Sequence, residues 1–440
     1  MSMINGFTAN DAARLSDAER RLIERRERLL GPAYRLFYER PLHTVRGEDV
    51  WLFDEQGRRY LDAYNNVASI GHCHPRVVEA MYRQSRQLNT HTRYLQEGIL
   101  DYAEQLLGTF SADLERVMFT CSGSEANDLA LRIARHHTGG TGVIITRFAY
   151  HGVTGDIAAL SPSLGPGIVL PAHVRTVRAP DAYRLGADNV ASLFAADVRA
   201  AIDDLRAHGI RPAAILLDGI FSSDGVLPGP AGSIAEGIAV AQAEGLLYIA
   251  DEVQPGFART GLNLWGYARH GVRPDLVTLG KPMGNGQPIA GLVGRAEVVD
   301  HFGRHMRYFN TYGGNPVSCA AGKAVLEVIE EDNLQQRAHD IGGYLLDGLS
   351  RLAGRHELIG DVRGAGMFLG VELVSDRATR QPAAEQARRV VNAMRENGVL
   401  ISAAGPLENV LKIRPLLTFT REHADLLIQA VDTALEDIRR

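Results

Sequence analysis

One lysine, Lys281, stands between an apolar run and a turn crowded with Gly and Pro. Residues 278–286 read TLGKPMGNG. A lysine in that position can be partly desolvated and held by rigid backbone, and desolvation lowers the pKa of an amine and makes it a better nucleophile and base. Lys281 is therefore a candidate nucleophile. Taken alone, it also fits the common alternative of a solvated surface charge.

A carboxylate, Asp251, ends a second apolar run. Residues 249–254 read IADEVQ. Ligands of α/β proteins bind at the carboxyl ends of strands. A carboxylate there can pair with a protonated ring nitrogen and keep the ring positive, which makes the ring an electron sink. An acidic cap, or an ion pair to a neighbouring loop, is the alternative for an isolated Asp.

A third segment has the composition of a phosphate-binding turn. Residues 120–127 read TCSGSEAN, follow an apolar run and lead into a helical pattern. Free backbone N–H groups at the start of that helix, together with the hydroxyls of Ser122 and Ser124, can bind a phosphate. A Ser-Gly turn that merely caps a buried helix explains the same residues.

These candidate residues must be positioned by a sheet. Apolar runs of strand length alternate with helical patterns, which indicates a mainly parallel α/β sheet. Residues 233–236, SIAE, resemble a capping box that opens one helix, and Gly245 marks its end. The six predicted strands are residues 117–120, 143–146, 213–217, 246–250, 276–279 and 289–293.

The two ends of the chain have a different pattern. Residues 50–53 and 59–62 flank the turn DEQG, which predicts a hairpin. A long helix is predicted near residues 316–331, and further helices near 382–397 and 421–438. We therefore predict an N-terminal segment and hairpin (residues 1–65), a large domain (66–331) and a smaller C-terminal α/β domain (332–440). The active site is expected in the cleft between the domains.

Composition restricts the class of protein. The 440 residues are 45% hydrophobic and carry a formal net charge of −5, with no basic run to attract nucleic acid or an anionic membrane. Cys73, Cys121 and Cys319 are too few for a disulfide framework or a clustered metal site, so no metal is expected. Neither a signal peptide nor a transmembrane span is evident, and a cytoplasmic location is the expectation.

The three motifs, in their order along the chain (residues 120–127, 249–254 and 278–286), resemble those of the class III aminotransferases, a family of pyridoxal 5'-phosphate (PLP) enzymes with fold type I. The resemblance implies a large domain with a mainly parallel seven-stranded sheet and a smaller α/β domain built from both chain ends. It covers nearly the whole chain and is carried by FDEQG (53–57), GHCHP (71–75), SGSEA (122–126), YHG (150–152), DEVQ (251–254), Gly280-Lys281 and TYGGNP (311–316).

The resemblance also implies roles for individual residues. Lys281 would hold the cofactor as a Schiff base and later move a proton at the carbon beside the substrate nitrogen. Asp251 would bind the pyridine nitrogen, and Thr311 would reach the cofactor phosphate from the neighbouring subunit of a homodimer, with a tetramer as an alternative. Asp218 stands where the family usually has Glu. The other implied cofactor contacts are Ser122, Gly123 and Ser124 at the phosphate, Tyr150 and Val253 on the two ring faces, Gln254 beside the ring oxygen, and His151.

Within the family, the chain resembles the subgroup of ethanolamine-phosphate and phosphohydroxylysine phospho-lyases. Many aminotransferases place an arginine near the C-terminus to bind the substrate carboxylate, and here Lys412 occupies that place. Lys412, Arg414 and Arg93 are candidate contacts for a substrate phosphate, although surface or interface ion pairs are alternatives. The expected reaction is elimination of phosphate from an amino-alcohol phosphate such as phosphoethanolamine.

Two other functions remain open. The first is an ω-aminotransferase or alanine–glyoxylate type aminotransferase that uses amine donors and 2-oxo acid acceptors. The second is a non-catalytic binding or assembly protein with the same fold, which Lys281, Asp251 and the phosphate-binding turn argue against.

Overall fold

The computed structural model describes residues 5–438, which form three sheets and the helices around them. The strands are β1 (Thr44–Glu48), β2 (Trp51–Asp54), β3 (Arg59–Asp62), β4 (Leu114–Thr120), β5 (Gly142–Thr146), β6 (Val174–Val177), β7 (Pro212–Leu217), β8 (Leu247–Asp251), β9 (Leu276–Leu279), β10 (Ala290–Arg295), β11 (Ile359–Ala365), β12 (Phe368–Asp376), β13 (Gln381–Pro382), β14 (Val399–Leu400), β15 (Ser402–Ala404) and β16 (Val410–Ile413).

The α-helices range from single turns to 20 residues. They are α1 (Asp17–Leu30), α2 (Pro75–Gln87), α3 (Glu97–Leu107), α4 (Gly123–Thr138), α5 (Gly155–Ala159), α6 (Ala182–Leu185), α7 (Val190–Ala207), α8 (Ala235–Ala243), α9 (Ala296–His305), α10 (Pro316–Glu331), α11 (Leu334–Ala353), α12 (Ala384–Glu396) and α13 (Arg421–Asp437). No helix within residues 5–438 has both the length and the apolar character needed to cross a membrane.

The seven-stranded sheet confirms the predicted α/β architecture. Its strand order is β4-β10-β9-β8-β7-β5-β6, and only β10 runs antiparallel to its neighbours. The inner strands are continuously apolar because both faces are covered. Ile144 and Ile215 pack into one apolar layer, whereas Ile145 and Leu216 pack into the layer on the other face.

Local sequence explains the start of helix α10 but not that of helix α8. Asn315 caps α10 by accepting a hydrogen bond from the Ser318 amide at 2.9 Å, and Pro316 occupies the first turn, where its missing N–H costs nothing. The capping box predicted at Ser233 is wrong. Helix α8 begins at Ala235 with Ile234 at the N-cap position and no side-chain cap, and the Ser233 hydroxyl is buried without a partner among the described residues.

The two chain ends meet, as the family resemblance implied. The predicted hairpin is β2–β3, with Gly57 at φ +79° in its turn, and β14 from near the C-terminus pairs in parallel with β3. The antiparallel sheet β11-β12-β16-β15, to which β13 adds by pairing with β12, lies in the C-terminal part. The boundaries at residues 65/66 and 331/332 stay predictions; the second falls in the short turn between α10 and α11.

Candidate active site

A cavity of about 290 Å³ opens where several strands of the seven-stranded sheet end. Asp218 follows β7, Asp251 ends β8 and Lys281 follows β9, so side chains from three adjacent parallel strands converge at one edge of the sheet. The lining residues are Val67, Cys121, Ser122, Gly123, Ser124, Tyr150, His151, Gly152, Asp218, Asp251, Val253, Gln254, Lys281, Gly286, Gln287, Pro288 and Ile289.

Lys281 lies at the start of a short 3₁₀ turn and projects into this cavity. Its Nζ is 5.9 Å from the centroid of the Tyr150 ring. Burial lowers the pKa of Lys281 below the ordinary value of a lysine; the carboxylates of Asp251 and Asp218 oppose this shift, and Arg414 adds to it. A larger fraction of the amine is therefore neutral and nucleophilic near neutral pH than for an exposed lysine.

Asp251 is buried and held by hydrogen bonds on both oxygens. Its Oδ2 accepts from Asn127 Nδ2 at 3.0 Å and lies 2.7 Å from His151 Nδ1, while its Oδ1 accepts from the Val253 amide at 3.1 Å. Asn127 in turn accepts from Thr278 Oγ1 at 2.6 Å. This network fixes the orientation of the carboxylate toward the cavity.

The N-terminus of α4 lies at the turn for which the sequence analysis predicts phosphate binding. Ser122 is the N-cap, and its Oγ accepts from the Glu125 amide at 3.2 Å. The amides of Gly123 and Ser124 have no acceptor within residues 5–438 and remain available to an anion. Gly123 is required sterically because a Cβ there would lie 2.7 Å from Val253.

The walls of the cavity carry the remaining predicted cofactor contacts except Thr311. Tyr150 and Val253 both line it, and Gln254 donates to Ser222 Oγ and accepts from Arg414 at 2.7 Å. Asp218 accepts from the amides of Ile220 and Ser222. Burial raises the pKa of Asp218, and the negative charge of Asp251 adds to the shift.

The sequence analysis did not predict two residues that hold side chains of the cavity in place, Asn127 and Ser222. Asn127 was part of a quoted motif, but its bonds to Asp251 and to the carbonyl of His151 depend on the packing of α4 over the sheet. Ser222 connects Asp218, Gln254 and Lys412 through its amide, hydroxyl and carbonyl. The sequence does contain a signal for Asn127, which is a polar residue at a buried position of a helix. It contains no signal for Ser222.

Lys412 and Arg414 lie behind the wall formed by Gln254. Lys412 Nζ donates to the Ser222 carbonyl at 2.9 Å, and Arg414 donates to Gln254 and, at 3.2 Å, to Asn66. They are 9% and 5% exposed, and neither forms an ion pair with any residue that the structure describes. Burial lowers the pKa of Lys412 well below its ordinary value, and the positive charge of Arg414 acts in the same direction.

Thr311 and Arg93 do not line the cavity of their own chain. Both are exposed, and the Arg93 guanidinium lies 3.8 Å from the centroid of the Phe309 ring. The segments that carry them adjoin, since His91 and Phe309 are in ring contact at 6.0 Å between centroids. Neither Thr311 nor Arg93 therefore contacts the cavity within its own chain.

The α/β fold thus brings together at one edge of the sheet a buried lysine, a carboxylate held by hydrogen bonds and a helix N-terminus with free amides. The sequence profile described as "Aminotransferase class-III" matches residues 37–435. The chain belongs to the class III aminotransferase family, whose members use PLP. It is a PLP-dependent enzyme of transaminase or phospho-lyase type.

Relatives of both types are similar to this chain. "Alanine--glyoxylate aminotransferase 2-like" of Drosophila melanogaster is 41% identical over 92% of this chain and 84% of its own length. "Ethanolamine-phosphate phospho-lyase homolog 1" of Caenorhabditis elegans is 37% identical over 95% of this chain and 94% of its own length. The solved structure of a phospholyase from Arthrobacter in complex with phosphoethanolamine has 47% identity and a TM-score of 0.91, and the match covers 94% of this chain and 99% of that one.

The residues present fit PLP. The free amides of Gly123 and Ser124 suit its phosphate, the fixed carboxylate of Asp251 suits its pyridine nitrogen, and the buried amine of Lys281, whose pKa is lowered, suits its aldehyde. His151 Nε2 is buried in the cavity wall and has no hydrogen-bond partner among residues 5–438. Buried polar atoms usually have such a partner, so this atom has room for a bond to a bound group.

Proposed function

We propose that this enzyme is a phospho-lyase that eliminates phosphate from an amino-alcohol phosphate such as phosphoethanolamine. With water, the products are phosphate, ammonia and the aldehyde, which is acetaldehyde for phosphoethanolamine. The observation that carries the proposal is the pair of buried cationic side chains, Lys412 and Arg414, next to the cavity without a carboxylate partner. The phospholyase structure with phosphoethanolamine supports it.

Charge balance explains why this pair favours a phosphorylated substrate. A buried cation that lacks a directly paired carboxylate is costly, and burial lowers the pKa of Lys412 well below its ordinary value although the negative charge of Asp218 opposes the shift. A phosphate dianion beside Lys412 and Arg414 would compensate both charges and raise the pKa of Lys412 again. Lysine serves phosphate as a compact point charge but lacks the planar fork that suits a carboxylate.

The chain's other residues supply positioning and proton transfer. The bound cofactor provides an electron sink for the carbon that bears the substrate nitrogen. Lys281 removes the proton from that carbon, and Asp251, held by Asn127 and His151, keeps the ring nitrogen protonated. The basic side chains stabilise the departing phosphate as the bond from carbon to oxygen breaks.

The test is incubation of the purified enzyme with phosphoethanolamine, with phosphate and acetaldehyde measured separately. We expect both products in equal amounts without any 2-oxo acid, and no acetaldehyde from unphosphorylated ethanolamine. Lys412→Met should raise KM for phosphoethanolamine by at least ~10-fold, as expected when one ion-paired hydrogen bond of about 1.5–3 kcal/mol is removed. The matched control is Lys323→Met, which lies outside the cavity on α10. Absence of phosphate release from an enzyme that transfers amino groups briskly would reject the proposal.

A class III aminotransferase is the second candidate function. It is favoured by the Drosophila relative, whose name is that of an alanine–glyoxylate aminotransferase. Such an enzyme would turn over only with a 2-oxo acid acceptor and would release no phosphate. Amino transfer from alanine to glyoxylate, followed by measurement of pyruvate, distinguishes the two functions.

We also propose that the active site is completed by a second subunit. Thr311 and Arg93 are exposed, and around them lie apolar side chains that a single chain leaves in solvent. Leu95 is 100% exposed, Tyr312 71% and Tyr94 66%. Exposed apolar surface of this kind marks interaction sites. In a homodimer, Thr311 would reach the partner's cofactor phosphate, and Arg93 would approach the partner's substrate phosphate.

A further inference from the structure

Four histidines gather at the end of α4 that is remote from the cavity. His136 and His137 lie in the last turn of α4, and His301 and His305 lie one turn apart on α9. We propose that His136, His301 and His305 form a binding site for a divalent transition-metal ion, with Zn²⁺ as the expected ion. This site is independent of the proposed reaction.

The geometry brings one nitrogen of each ring into a common space. The candidate ligand atoms of His136, His301 and His305 all lie within 4.8 Å of one another. Ring centroids are 4.8 Å apart for His136 and His301, and 4.7 Å apart for His301 and His305. Bonds of about 2.0–2.1 Å to a tetrahedral Zn²⁺ require nitrogens about 3.4 Å apart. Small rotations about the side-chain bonds, which are easiest for the exposed His305, would bring the nitrogens from within 4.8 Å of one another to about 3.4 Å.

The hydrogen bonding of these rings points to a missing ligand. His136 Nε2 and His301 Nδ1 are buried and have no partner within the part of the chain that the structure describes. His305 Nδ1 lies 2.7 Å from the His301 carbonyl, so it must donate, and the lone pair of Nε2 stays free. A backbone carbonyl that fixes the tautomer in this way is the usual support of a metal-binding histidine.

The ligand set selects the class of ion. Three imidazoles without a carboxylate suit Zn²⁺, Cu²⁺, Ni²⁺ or Co²⁺ and do not suit Mg²⁺ or Ca²⁺, which prefer oxygen ligands. Among the nearby charged groups, Arg304 lies 3.6 Å from Asp300, which also pairs with Arg116 at 2.9 Å, so the positive charge of Arg304 is offset in part. A fourth position would be left to water or to His137, whose ring is in edge contact with that of His301.

The consequence of binding would be structural. Helix α4 carries the phosphate-binding turn at its start and His136 thirteen residues after Gly123, about 20 Å away along the helix axis. A metal bound at the far end would join α4 to α9 without touching the cavity. We therefore expect the ion to raise the thermal stability of the holoenzyme and to leave its cofactor absorbance unchanged.

The test is calorimetric titration of the tag-free holoenzyme with ZnCl₂, repeated with MgCl₂. We expect one Zn²⁺ per chain and no response to Mg²⁺, with affinity at least ~10-fold weaker in His301→Ala and in His305→Ala. The matched control is His208→Ala, an exposed histidine near the end of α7, which should bind Zn²⁺ like the parent protein. Cofactor absorbance and circular dichroism establish that each variant is folded.

Two results would overturn the assignment. One is Zn²⁺ affinity in folded His301→Ala and His305→Ala equal to that of His208→Ala. The other is a molecular mass, measured by light scattering, that rises with Zn²⁺, because the ion would then bridge copies of the protein. A Co²⁺ complex whose visible absorption bands persist in the parent and vanish in both variants would support three-histidine ligation.

Discussion

At the scale of single residues, the small number of lysines makes it simple to test which one binds the cofactor. It contains three lysines, Lys281, Lys323 and Lys412, of which only Lys281 lines the cavity. Borohydride reduction of the PLP-loaded enzyme should label the peptide with Lys281 and leave the other two unlabelled. Lys281→Ala should lose this label, the visible cofactor absorbance and at least ~10²-fold in turnover, which is the lower range for a missing acid–base group.

The control for this variant is Lys323→Ala, which should retain label, absorbance and turnover. Peptide mapping by mass spectrometry locates the modified lysine. Labelling at Lys412 instead would contradict the assignment, because Lys412 is also buried and has a lowered pKa.

We expect Asp224 to make the free energy of unfolding depend on pH. It accepts hydrogen bonds from Thr146 Oγ1 at 2.8 Å and from the Phe148 amide at 3.2 Å, and burial raises the pKa of Asp224 to about 7. The folded state therefore holds a proton that the unfolded chain releases near pH 4. Its stabilising contribution is full below that pH and is lost as pH rises through about 7, so stability should fall between pH 5 and pH 8.

Asp224→Asn should reduce this pH dependence, because an amide does not ionise, and its oxygen can accept from the Phe148 amide while its NH2 donates to Thr146 Oγ1. The expected difference is of the order of 1 kcal/mol or more, since one pKa unit corresponds to about 1.4 kcal/mol. Thermal denaturation at pH 5 and pH 8 measures it, with the exposed Asp203→Asn as control. An unchanged pH dependence in Asp224→Asn would show that this carboxyl is not protonated in the folded protein.

At the scale of elements, neighbouring glycines of α11 provide a matched pair. A Cβ at Gly342 would lie 2.2 Å from the Gly366 carbonyl oxygen, whereas a Cβ at Gly343 would meet nothing within 4 Å. Gly343→Ala should stabilise the protein by about 0.5–1 kcal/mol through helix propensity. Gly342→Ala gains the same propensity but must push α11 away from the turn between β11 and β12, so it should be destabilising by about 1–3 kcal/mol. Chemical denaturation of both variants checks the opposite signs.

The elements also show which features were predictable from sequence. Strands β7, β8 and β9 were predicted within one or two residues because burial on both faces leaves a continuous apolar run. Strand β6 was missed, since its sequence VRTV places two polar residues at the edge of the sheet. The false cap at Ser233 shows that a matching tetrapeptide does not determine where a helix begins when tertiary packing dominates.

Part of the site was also predictable, because some of its residues lie at the ends of strands that the sequence reveals. Lys281, Asp251 and Ser122 lie at strand ends, where sequence position and place in the fold coincide. Asn127 and Ser222 contribute through contacts between segments 32–151 residues apart, such as those with Gln254 and Thr278, and no local pattern encodes them.

At the scale of the whole molecule, the proposed shared site can be tested by mixing two inactive variants. In a homodimer whose cavities each use Lys281 of one chain and Thr311 of the other, Lys281→Ala disables its own cavity. Thr311→Asp disables the partner's cavity, because a carboxylate repels the cofactor phosphate. A mixed dimer therefore keeps one intact cavity, formed by Lys281 of the Thr311→Asp chain and Thr311 of the Lys281→Ala chain.

Co-expression in equal amounts should pair the two chains at random, so that half of the dimers are mixed and about one quarter of the parent's cavities are intact. Turnover per chain should accordingly recover to about one quarter of the parent value, while each variant expressed alone stays near zero. Light scattering on the same samples should give the mass of a dimer or a multiple of it. Recovery no greater than the sum of the separate variants would mean that Thr311 serves its own chain or no cavity at all, since only reciprocal exchange across an interface restores an intact site.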